Sequence, residues 1–564
     1  MKTKKINHED KYQLNYPNGS LFQLIEQTAL KYPTNIIYDF YGTKSTYKNF
    51  IKEVNECAKS LKALGIKEND KVTICMPNCP QAIIAFYAIN LIGAIASMVH
   101  PLSSEGEIKI YLNSSESVLA ITLDMTYQKF ENIKDETKLK KIVVSSIKDK
   151  MPLIPAIGYY VMKGHKIKPI NNSDVIHWSE FIKMGNDYLG EYRLDKKDID
   201  PAVILYSGGT TGDPKGILLS NLNFNALAMQ SDIASDCMKP GDSMLGIMPI
   251  FHGFGLGVCI HTIFYMGCKC ILIPQFNAKK FDELFKKYKP NFIVGVPTLF
   301  EALTRNKKMK NVDLSYLKCV ISGGDSLSPP LKKKIDEFLK EHNANIQIRE
   351  GYGMTESVSA TCLTPKETAK EGSIGVPYPD MIFKIVYPNT QEEVPINEQG
   401  EICISGPTVM LGYLNSPKET VLALQTHKDG RTWLHTGDLG SMDKDGFVYF
   451  HQRLKRMIVS SGYNIYPHYI ENVIESHPDV LASTVIGVKD EYKGQKIKAF
   501  VILKDDIEDT EEVRKSIYKH CLKNISKYAM PYTFEYRKSL PKTLVGKVAY
   551  GELEKESNEQ EDDE

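Results

Sequence analysis

Residues 206–216 read YSGGTTGDPKG and directly follow AVIL, an apolar run that is typical of a buried strand. A glycine-rich turn presents successive backbone N–H groups that can bind phosphate oxygens. The hydroxyls of Ser207, Thr210 and Thr211 add donors. Lys215 adds a positive charge. A mobile surface turn would explain the glycines alone, but not glycines, hydroxyls and a lysine together, so the stretch predicts a phosphate-binding loop.

The spacing of this loop argues against the Walker loop of P-loop kinases and GTPases. That loop requires a lysine preceded by glycine and followed by Ser or Thr, in the order G-x-x-x-x-G-K-[ST]. Here Pro214 precedes Lys215 and Gly216 follows it. The stretch therefore indicates another kind of nucleotide-binding loop.

Outside this loop, short apolar runs alternate with helical stretches that have one polar face. KVTICM at 71–76 and CVISGG at 319–324 are strand-like, and LKKKIDEFLKEH at 331–342 has the apolar spacing of a helix. This alternation predicts layered α/β structure with parallel sheets. A chain of 564 residues also exceeds the size of a single core, so we expect at least two domains.

Charge and cysteine content limit the class of protein. The net charge is +1, which argues against a general nucleic-acid binder. The eleven cysteines include no C-x-x-C pair, and no histidine cluster has zinc spacing. Reduced, buried thiols are typical of a cytoplasmic protein. The charged N-terminal stretch has no apolar segment after it, so we expect no secretory signal.

Two apolar segments raise the question of membrane contact. Residues 82–99, AIIAFYAINLIGAIASMV, are long and uncharged enough for a membrane span. Gly93 interrupts the run, so we predict a buried helix, a break, and a strand ending at His100. Residues 151–168, MPLIPAIGYYVMKGHKIK, are apolar first and basic after. This segment is either a peripheral contact with the inner face of a membrane or a loop held by its prolines.

The pattern changes near residue 450. A short strand, a basic cluster and a glycine turn are followed by a helix, two strands and another helix, which predicts a separate α+β domain. The last residues, 553–564, read LEKESNEQEDDE. They are acidic and almost free of apolar side chains, so we expect a disordered tail.

Five motifs in order resemble those of the AMP-forming acyl-adenylate synthetases, the superfamily of acyl-CoA ligases, firefly luciferase and peptide-synthetase adenylation domains. They are YSGGTTGDPKG at 206–216, GYGMTE at 351–356, HTGD at 435–438, RLK at 453–455 and VGK at 545–547. The resemblance covers essentially the whole chain. It implies a large N-terminal domain over 1–452, of layered α/β sheets with a β-barrel-like part. A small, mobile α+β domain follows over 453–552.

The resemblance also implies a two-step reaction that uses ATP, Mg²⁺ and CoA. A carboxylate first attacks the α-phosphorus of ATP, giving acyl-AMP and pyrophosphate. A thiol then attacks the acyl carbon and expels AMP. Both steps move charge on phosphoryl or carbonyl oxygens, so preorganised donors and cations should dominate catalysis.

By this resemblance, the first motif holds the β- and γ-phosphates and then lets pyrophosphate leave. Its residues are Ser207, Gly208, Gly209, Thr210, Thr211, Gly212 and Lys215. Lys215 is expected to be secondary to a later lysine. The second motif supplies Gly351 and Tyr352 beside the adenine and Thr355 as a donor to the α-phosphate. Glu356 is expected to be a ligand of Mg²⁺, which prefers oxygen.

The remaining nucleotide contacts are also implied by resemblance. Gly323, Gly324 and Asp325 in SGGD are expected to line the nucleotide and acyl pockets. Asp438 is expected to bind the ribose hydroxyls, although T-G-D is also good turn chemistry. Arg453 is expected to reinforce the ribose or phosphate contact.

The C-terminal domain is implied to serve both half-reactions by rotating about Lys455. One of its faces presents Lys547, which bridges the substrate carboxylate and the α-phosphate. The other face presents SSGYN at 460–464, with Ser461 and Gly462 beside the pantetheine arm of CoA. Gln452 departs from the Gly or Asp that relatives usually carry before the arginine, which removes either flexibility or charge near the hinge. Gly209 stands where Ser or Thr is commoner.

Substrate choice is less well determined. IMPIFHGFGLG at 247–257 resembles a pocket segment with His252 at its mouth, and it carries no Arg or Lys for a second carboxylate. VSSGYNIYP resembles the corresponding segment of long-chain fatty acyl-CoA ligases. We therefore expect a medium- to long-chain fatty acid, with aryl and steroid acids as alternatives. Loading of an acyl carrier protein stays open as an alternative second step, whereas a luciferase-like oxygenase or a non-catalytic lipid-binding protein is disfavoured.

Overall fold

The fold was analysed in a computed structural model, which describes residues 14–153, 156–157, 175–207, 215–460, 463–465, 467–490, 493–543 and 547–562. Strands within these residues form four sheets, three of them before residue 454 and one after it. This arrangement confirms the expected α/β class, with a large N-terminal part and a small C-terminal part.

The largest sheet has nine strands among the described residues. In spatial order they are Val376–Pro377, Ala360–Leu363, Ile348–Gly353, Cys319–Gly323, Phe292–Gly295, Ser243–Gly246, Lys269–Leu272, Ile36–Phe40 and Thr43–Thr46. Its central strands are parallel, and Gly323 lies opposite Gly351. The SGGD and GYGMTE motifs therefore meet at the carboxyl edge of adjacent strands, the edge where open α/β sheets bind ligands.

The second sheet has eight strands and carries the glycine-rich motif. In spatial order they are Gly412–Tyr413, Lys215–Ser220, Pro201–Ser207, Ile95–Met98, Lys71–Cys75, Leu119–Leu123, Lys141–Ser145 and Val175–His177. Ser207 and Lys215 are paired in an antiparallel ladder. Residues 208–214 therefore join two paired strands, whereas a Walker loop joins a strand to a helix.

The third sheet is antiparallel, and its strand pairing among the described residues is that of an open sheet, so the β-barrel-like part stays a prediction. Its strands are Ile382–Val386, Gly400–Ser405, Thr432–Met442, Leu424–Thr426 and Val448–Arg453. Its ladder is interrupted where Glu401 lies opposite Leu439 and Cys403 lies opposite His435. Because three residues on one strand then oppose one on the other, residues 436–438 form a bulge.

The fourth sheet belongs to the C-terminal part. Its strands are Tyr463–Ile465, Ile458–Ser460, Gly494–Leu503, Val480–Asp490 and Thr533–Tyr536. Ile470, Val485 and Ile517 belong to a core made only of elements after residue 457. A separate core is the property that defines a domain, but the boundary at 452/453 stays a prediction.

Helices cover the sheets. They are Leu21–Lys31, Tyr47–Ala63, Pro80–Leu91, Glu105–Ser115, Tyr127–Ile133, Trp178–Met184, Asn221–Ser235, Phe281–Tyr288, Pro297–Arg305, Pro329–Glu341, Pro417–Ala423, Pro467–Glu475, Glu511–Asn524 and Tyr550–Asp562, with a π-helix at Phe254–Thr262. Several begin with proline, whose fixed φ suits the first helical position. Phe50, Phe86 and Phe224 are fully buried in one core shared by both large sheets.

The apolar segment 82–99 folds as predicted. The helix Pro80–Leu91 is buried at every residue, and the strand Ile95–Met98 follows it. Gly93 separates the two at φ 76°, a left-handed conformation that favours glycine. Within the described parts of the chain, no helix combines the length and apolarity needed to cross a membrane.

The prediction of a disordered tail over 553–564 is wrong as far as residue 562, because the helix Tyr550–Asp562 occupies this stretch. Leu553 is fully buried and packs with apolar residues of the fourth sheet. Glu556 forms an ion pair with Arg537, at 2.6 Å between Oε1 and Nη2. One well-placed leucine and one ion pair thus order a segment whose composition alone favours disorder.

Candidate active site

Three motif residues from two sheets meet at one end of a cleft. The Tyr352 hydroxyl donates to Asp438 Oδ2 at 2.8 Å, and Arg453 Nε lies 3.4 Å from Asp438 Oδ1. Asp438 is only 2% exposed, and burial raises its pKa, while Arg453 and the Tyr352 hydroxyl oppose that shift. A buried carboxylate between a tyrosine and an arginine is a suitable acceptor for ligand hydroxyls.

Two glycines at the end of the strand Cys319–Gly323 stand where a side chain would be strained or crowded. Gly324 has φ 80°, which a residue with a side chain rarely adopts. A Cβ on Gly323 would lie 3.1 Å from the carbonyl oxygen of Gly351, closer than an ordinary contact. Asp325, the next residue after Gly324, is exposed at the cleft.

Lys547 comes from the C-terminal part and reaches the same cleft. A Cβ built on Gly324 would lie 3.9 Å from Lys547 Cε. Burial lowers the pKa of the Lys547 ammonium, and Arg453 lowers it further, whereas Asp325 and Asp438 favour the charged form. The side chain is therefore an ammonium group in a desolvated position beside two carboxylates.

Glu356 and Lys215 are linked through a second tyrosine, Tyr413. The Tyr413 hydroxyl donates to Glu356 Oε1 at 3.0 Å. Lys215 Nζ lies 2.9 Å from Glu419 Oε2 and 5.0 Å from the centre of the Tyr413 ring. Tyr413 thus contacts both motif residues.

Thr355 begins a 3₁₀ turn, Thr355–Ser357, directly before a strained residue. Val358 adopts φ 65° and ψ −57°, which is unusual for a β-branched side chain. Its carbonyl oxygen lies so close to Gly253 that a Cβ there would approach it to 1.5 Å. Such strain is often found at binding sites.

His252 belongs to the pocket segment and is close enough to Lys547 to be affected by its charge. Its Nε2 atom is buried, and no hydrogen-bond partner for it is found among the described residues. Burial lowers the pKa of His252 to about 4, with smaller contributions from His100 and Lys547. The ring is therefore neutral near pH 7.

The segment after His252 forms the π-helix Phe254–Thr262. Every residue of this helix except Phe254 is buried. π-helical segments are rare and are frequently found at functional sites. At its end, His261 Nδ1 lies 3.0 Å from the Tyr87 hydroxyl, and His261 Nε2 lies 3.0 Å from Asn225 Oδ1. Burial lowers the pKa of His261 to about 3, so this histidine is a neutral part of the core.

Gln452 is buried beside the proposed hinge. It is 1% exposed, and neither polar atom of its amide has a hydrogen-bond partner in the parts of the chain that are described. An unpaired buried amide costs about 1–3 kcal/mol. Gln452, which stands where relatives usually carry Gly or Asp, therefore introduces an energetic penalty next to Arg453.

Several predicted residues cannot be located. Gly208, Gly209, Thr210, Thr211, Gly212, Ser461 and Gly462 lie outside the described residues, as does most of 151–168. The backbone of Lys455 lies in the turn Leu454–Arg456, but its side chain is not described. Ser207, at the end of its strand, and Lys215 flank the first of these gaps.

Sequence reasoning missed two groups of contacts. Tyr413 has no motif around it, and it is 57 residues from Glu356 in the chain. Glu401 and His435 form a buried pair behind Asp438, with His435 Nδ1 2.9 Å from Glu401 Oε2. The only available signal for this pair was that His435 opens the HTGD motif.

Comparison with known proteins gives a consistent result across the chain. The sequence profile of the AMP-binding enzymes matches residues 25–414, and that of the AMP-binding enzyme C-terminal domain matches residues 469–547. A long-chain-fatty-acid–CoA ligase of Bacillus subtilis is 33% identical over 97% of this chain and 96% of its own length. A probable 4-coumarate–CoA ligase of Dictyostelium discoideum is 31% identical over 90% and 91%.

Solved structures show the same fold. ATP-bound MatB of Rhodopseudomonas palustris superposes with a TM-score of 0.83 at 21% identity, over 96% of this chain and all of that one.

Proposed function

Because this chain belongs to the AMP-binding enzyme family and is an AMP-forming acid–CoA ligase that uses ATP, Mg²⁺ and CoA, we propose that its acid is a medium- to long-chain fatty acid. The Bacillus subtilis and Yersinia pestis relatives named as long-chain-fatty-acid–CoA ligases support this substrate class. The 4-coumarate relatives keep an aryl acid as the competing candidate.

One observation carries the choice of an apolar acid. From 252 to 262 the pocket segment and the π-helix that continues it hold three ionisable side chains, His252, Cys259 and His261, and burial keeps all three neutral. A second carboxylate on the substrate would need a cation, and this segment offers none. Leu256 and Ile260 are fully buried, while Phe254 is partly exposed, which suits an alkyl chain.

The nucleotide contacts of this proposal follow from the cleft. Asp438 accepts hydrogen bonds from the ribose hydroxyls, and Arg453 balances its charge. Tyr352, with Gly351 before it, offers its ring to the adenine while its hydroxyl holds Asp438. Gly323 and Gly324 let the backbone approach the base.

At the phosphate end, Ser207, Lys215 and the residues between them bind the β- and γ-phosphates. Thr355 donates to the α-phosphate. Glu356 fits Mg²⁺, which prefers oxygen ligands, because Tyr413 occupies only one of its carboxylate oxygens; when bound, the ion neutralises phosphate charge.

Lys547 supplies the main charge stabilisation in the first step. Its ammonium lies beside Asp325 and Asp438, and it meets the negative charge that builds on the carboxylate and the α-phosphate. In the second step the C-terminal domain turns about Lys455, which withdraws Lys547 and presents Ser461 and Gly462 to the thiol arm. His252 stays neutral at the pocket mouth and orients the acid by hydrogen bonding.

The substrate class is tested by acid-dependent pyrophosphate release with CoA present. The panel contains straight-chain acids from C4 to C18, 4-coumarate, benzoate, a steroid acid and succinate, with Lys547→Ala as the background control. We expect kcat/KM to peak at a medium- or long-chain acid and to be lowest for succinate. A higher kcat/KM for an aryl or steroid acid would overturn the fatty-acid proposal.

We further propose that the enzyme works at the cytoplasmic surface of a membrane through 151–168. Leu153 and Ile157, two of the described apolar residues at its start, are 76% and 55% exposed. Leu153→Asp combined with Ile157→Asp should reduce cosedimentation with phosphatidylglycerol vesicles. Leu189→Asp is the matched control, because Leu189 is 96% exposed elsewhere. Equal losses in both variants, or no loss, would refute the contact.

A further inference from the structure

Buried polar side chains lie directly behind the bulge that carries Asp438. Glu401 and Cys403 belong to the strand Gly400–Ser405, His435 belongs to Thr432–Met442, and His427 lies in the turn before that strand. The side chains of His435 and Glu401 are 7% and 6% exposed. Most buried polar groups in proteins are hydrogen-bonded.

The contacts form a continuous chain. His427 Nε2 lies 2.9 Å from His435 Nε2, and His435 Nδ1 lies 2.9 Å from Glu401 Oε2. The backbone N–H of Gly437 donates to Glu401 Oε1 at 3.0 Å. The chain therefore ends on the residue that precedes Asp438.

The direction of the hydrogen bonds can be assigned from this network. A carboxylate only accepts, so His435 Nδ1 carries the proton and donates to Glu401. His435 Nε2 then accepts from His427. The Nδ1 atom of His427 is buried, with no hydrogen-bond partner among the described residues. Because an unpaired lone pair is less costly there than an unpaired N–H group, we place the proton of His427 on Nε2.

The same strand holds the bulge by a second link. The Thr436 hydroxyl donates to the carbonyl oxygen of Ile402 at 2.7 Å and accepts from the backbone N–H of Asp438 at 3.1 Å. Gly437 adopts φ 67°, which lets the chain turn between these two links. Bulges next to active sites re-aim a side chain, and here the redirected side chain is Asp438.

A metal ion is the competing interpretation of this cluster. Ligand atoms of Glu401, Cys403 and His435 all lie within 4.8 Å of one another. However, both carboxylate oxygens of Glu401 and both ring nitrogens of His435 already have hydrogen-bond partners. Lys384 also acts on Cys403 as a nearby positive charge, which opposes a cation. A hydrogen-bonded support accounts for these contacts better than a metal site does.

We propose that Glu401, His435 and His427 are positioning residues that hold the 436–438 bulge so that Asp438 faces the ribose of ATP. This inference rests on the proposed ribose role of Asp438. It implies that the three residues affect nucleoside binding and leave the recognition of the acid and of CoA unchanged.

The test compares ATP with 2′-deoxy-ATP and 3′-deoxy-ATP. Glu401→Ala and His435→Phe should raise the KM for ATP about tenfold, the scale of losing one hydrogen bond to a charged group. The KM for the deoxy analogues should change little, so discrimination between ATP and its analogues falls towards one. Glu401→Gln keeps an acceptor for the backbone N–H of Gly437. This variant should therefore restore at least part of the discrimination between ATP and its deoxy analogues. A general loss of stability would weaken all nucleotides alike.

Further variants separate this inference from the proposed function. If Asp438→Ala still discriminates against deoxy-ATP, the ribose role of Asp438 is wrong. If Asp438→Ala loses discrimination and Glu401→Ala and His435→Phe keep it, the positioning inference is wrong. Glu398→Gln, an exposed carboxylate before the same strand, should behave like the wild type.

A metal is tested by Cys403→Ala and by zinc analysis of the purified enzyme. We expect Cys403→Ala to keep its discrimination and zinc to be far below one equivalent. Bound zinc together with loss of discrimination in Cys403→Ala would overturn the inference. If Glu401→Ala does not fold, the comparison of Glu401→Gln with His435→Gln, using AMP and 3′-deoxy-AMP in a binding titration, still decides the case.

Discussion

The proposed ribose end and the proposed phosphate end of the site are constructed differently. At the ribose end, Tyr352 and Asp438 are 9% and 2% exposed and hydrogen-bonded to each other. At the phosphate end, the side chains of Lys215 and Glu419 are 35% and 43% exposed. Lys547 reaches the cleft from the other domain.

The difference matches what each end must do. The ribose keeps its charge and shape through both half-reactions, so a prebuilt, buried acceptor serves it throughout. The phosphates gain and lose charge and one product leaves, so the groups that serve them have to be accessible or withdrawn. The proposed mechanism thus assigns nucleoside binding to the core of the large N-terminal part, and charge stabilisation to the edge of that part and to the small C-terminal part.

The largest effect is expected from removing Lys547, the lysine that the C-terminal part contributes to the site. Lys547→Ala should lower acyl-AMP formation by about 10²–10⁴-fold, the scale of losing one charge-stabilising group. Thioester formation from supplied acyl-AMP should survive, because that step does not use this side chain. Both rates are measured by quenched flow. Lys542→Ala is the control, because Lys542 is an exposed lysine near Lys547 in the chain. An equal loss of adenylation and of thioester formation in Lys547→Ala would contradict the proposal that Lys547 acts only in adenylation.

The second prediction concerns how Lys547 is withdrawn. Lys455→Pro fixes φ near −65° and should lower thioester formation at least about tenfold relative to adenylation. The asymmetry is expected because Lys547 already occupies the cleft in this structure. Lys455→Ala should have little effect on either step. Unchanged kinetics in Lys455→Pro would remove the hinge assignment.

The third prediction follows from the lowered pKa of Lys547. In the proposed mechanism adenylation needs the ammonium, which is lost as pH rises through a pKa below that of an ordinary lysine. Above that pKa the adenylation rate should fall about tenfold per pH unit. Lys547→Arg keeps its charge at these pH values, so its alkaline loss should move to higher pH. An identical pH profile in both proteins would exclude Lys547 as the titrating group.

A smaller effect is expected at Lys215. It is half-exposed and paired with Glu419, and such surface pairs contribute about 0–1 kcal/mol. Lys215→Ala should raise the KM for ATP by less than about tenfold. Glu419→Gln, which releases Lys215, should lower or preserve that KM. A loss in Lys215→Ala as large as in Lys547→Ala would erase the distinction between the two lysines.

The smallest effect concerns stability beside the hinge. Gln452→Met removes an unpaired buried amide and should raise Tm by about 1–3 °C. Gln495→Met is the matched control, because Gln495 Oε1 accepts from the backbone N–H of Val459 at 2.9 Å. That variant should not gain stability. A fall in Tm for Gln452→Met would mean that its amide is paired.

Much of the fold could be predicted because its signals are local. The apolar alternation predicted parallel strands and helices, and Gly93 predicted the break between Pro80–Leu91 and Ile95–Met98. The failure at 553–562 has a definite cause. Disorder was predicted from composition, whereas Leu553 packs against strands more than fifty residues earlier.

The sequence alone determined the identity and order of the motif residues, because glycines, hydroxyls and charges at fixed spacing can be recognised along the chain. Only the tertiary structure decided which of them meet and what supports them. Tyr413 reaches Glu356, and Glu401 reaches Gly437, through strand register and a bulge. Register and burial depend on all neighbouring strands at once, so no local stretch of residues encodes them.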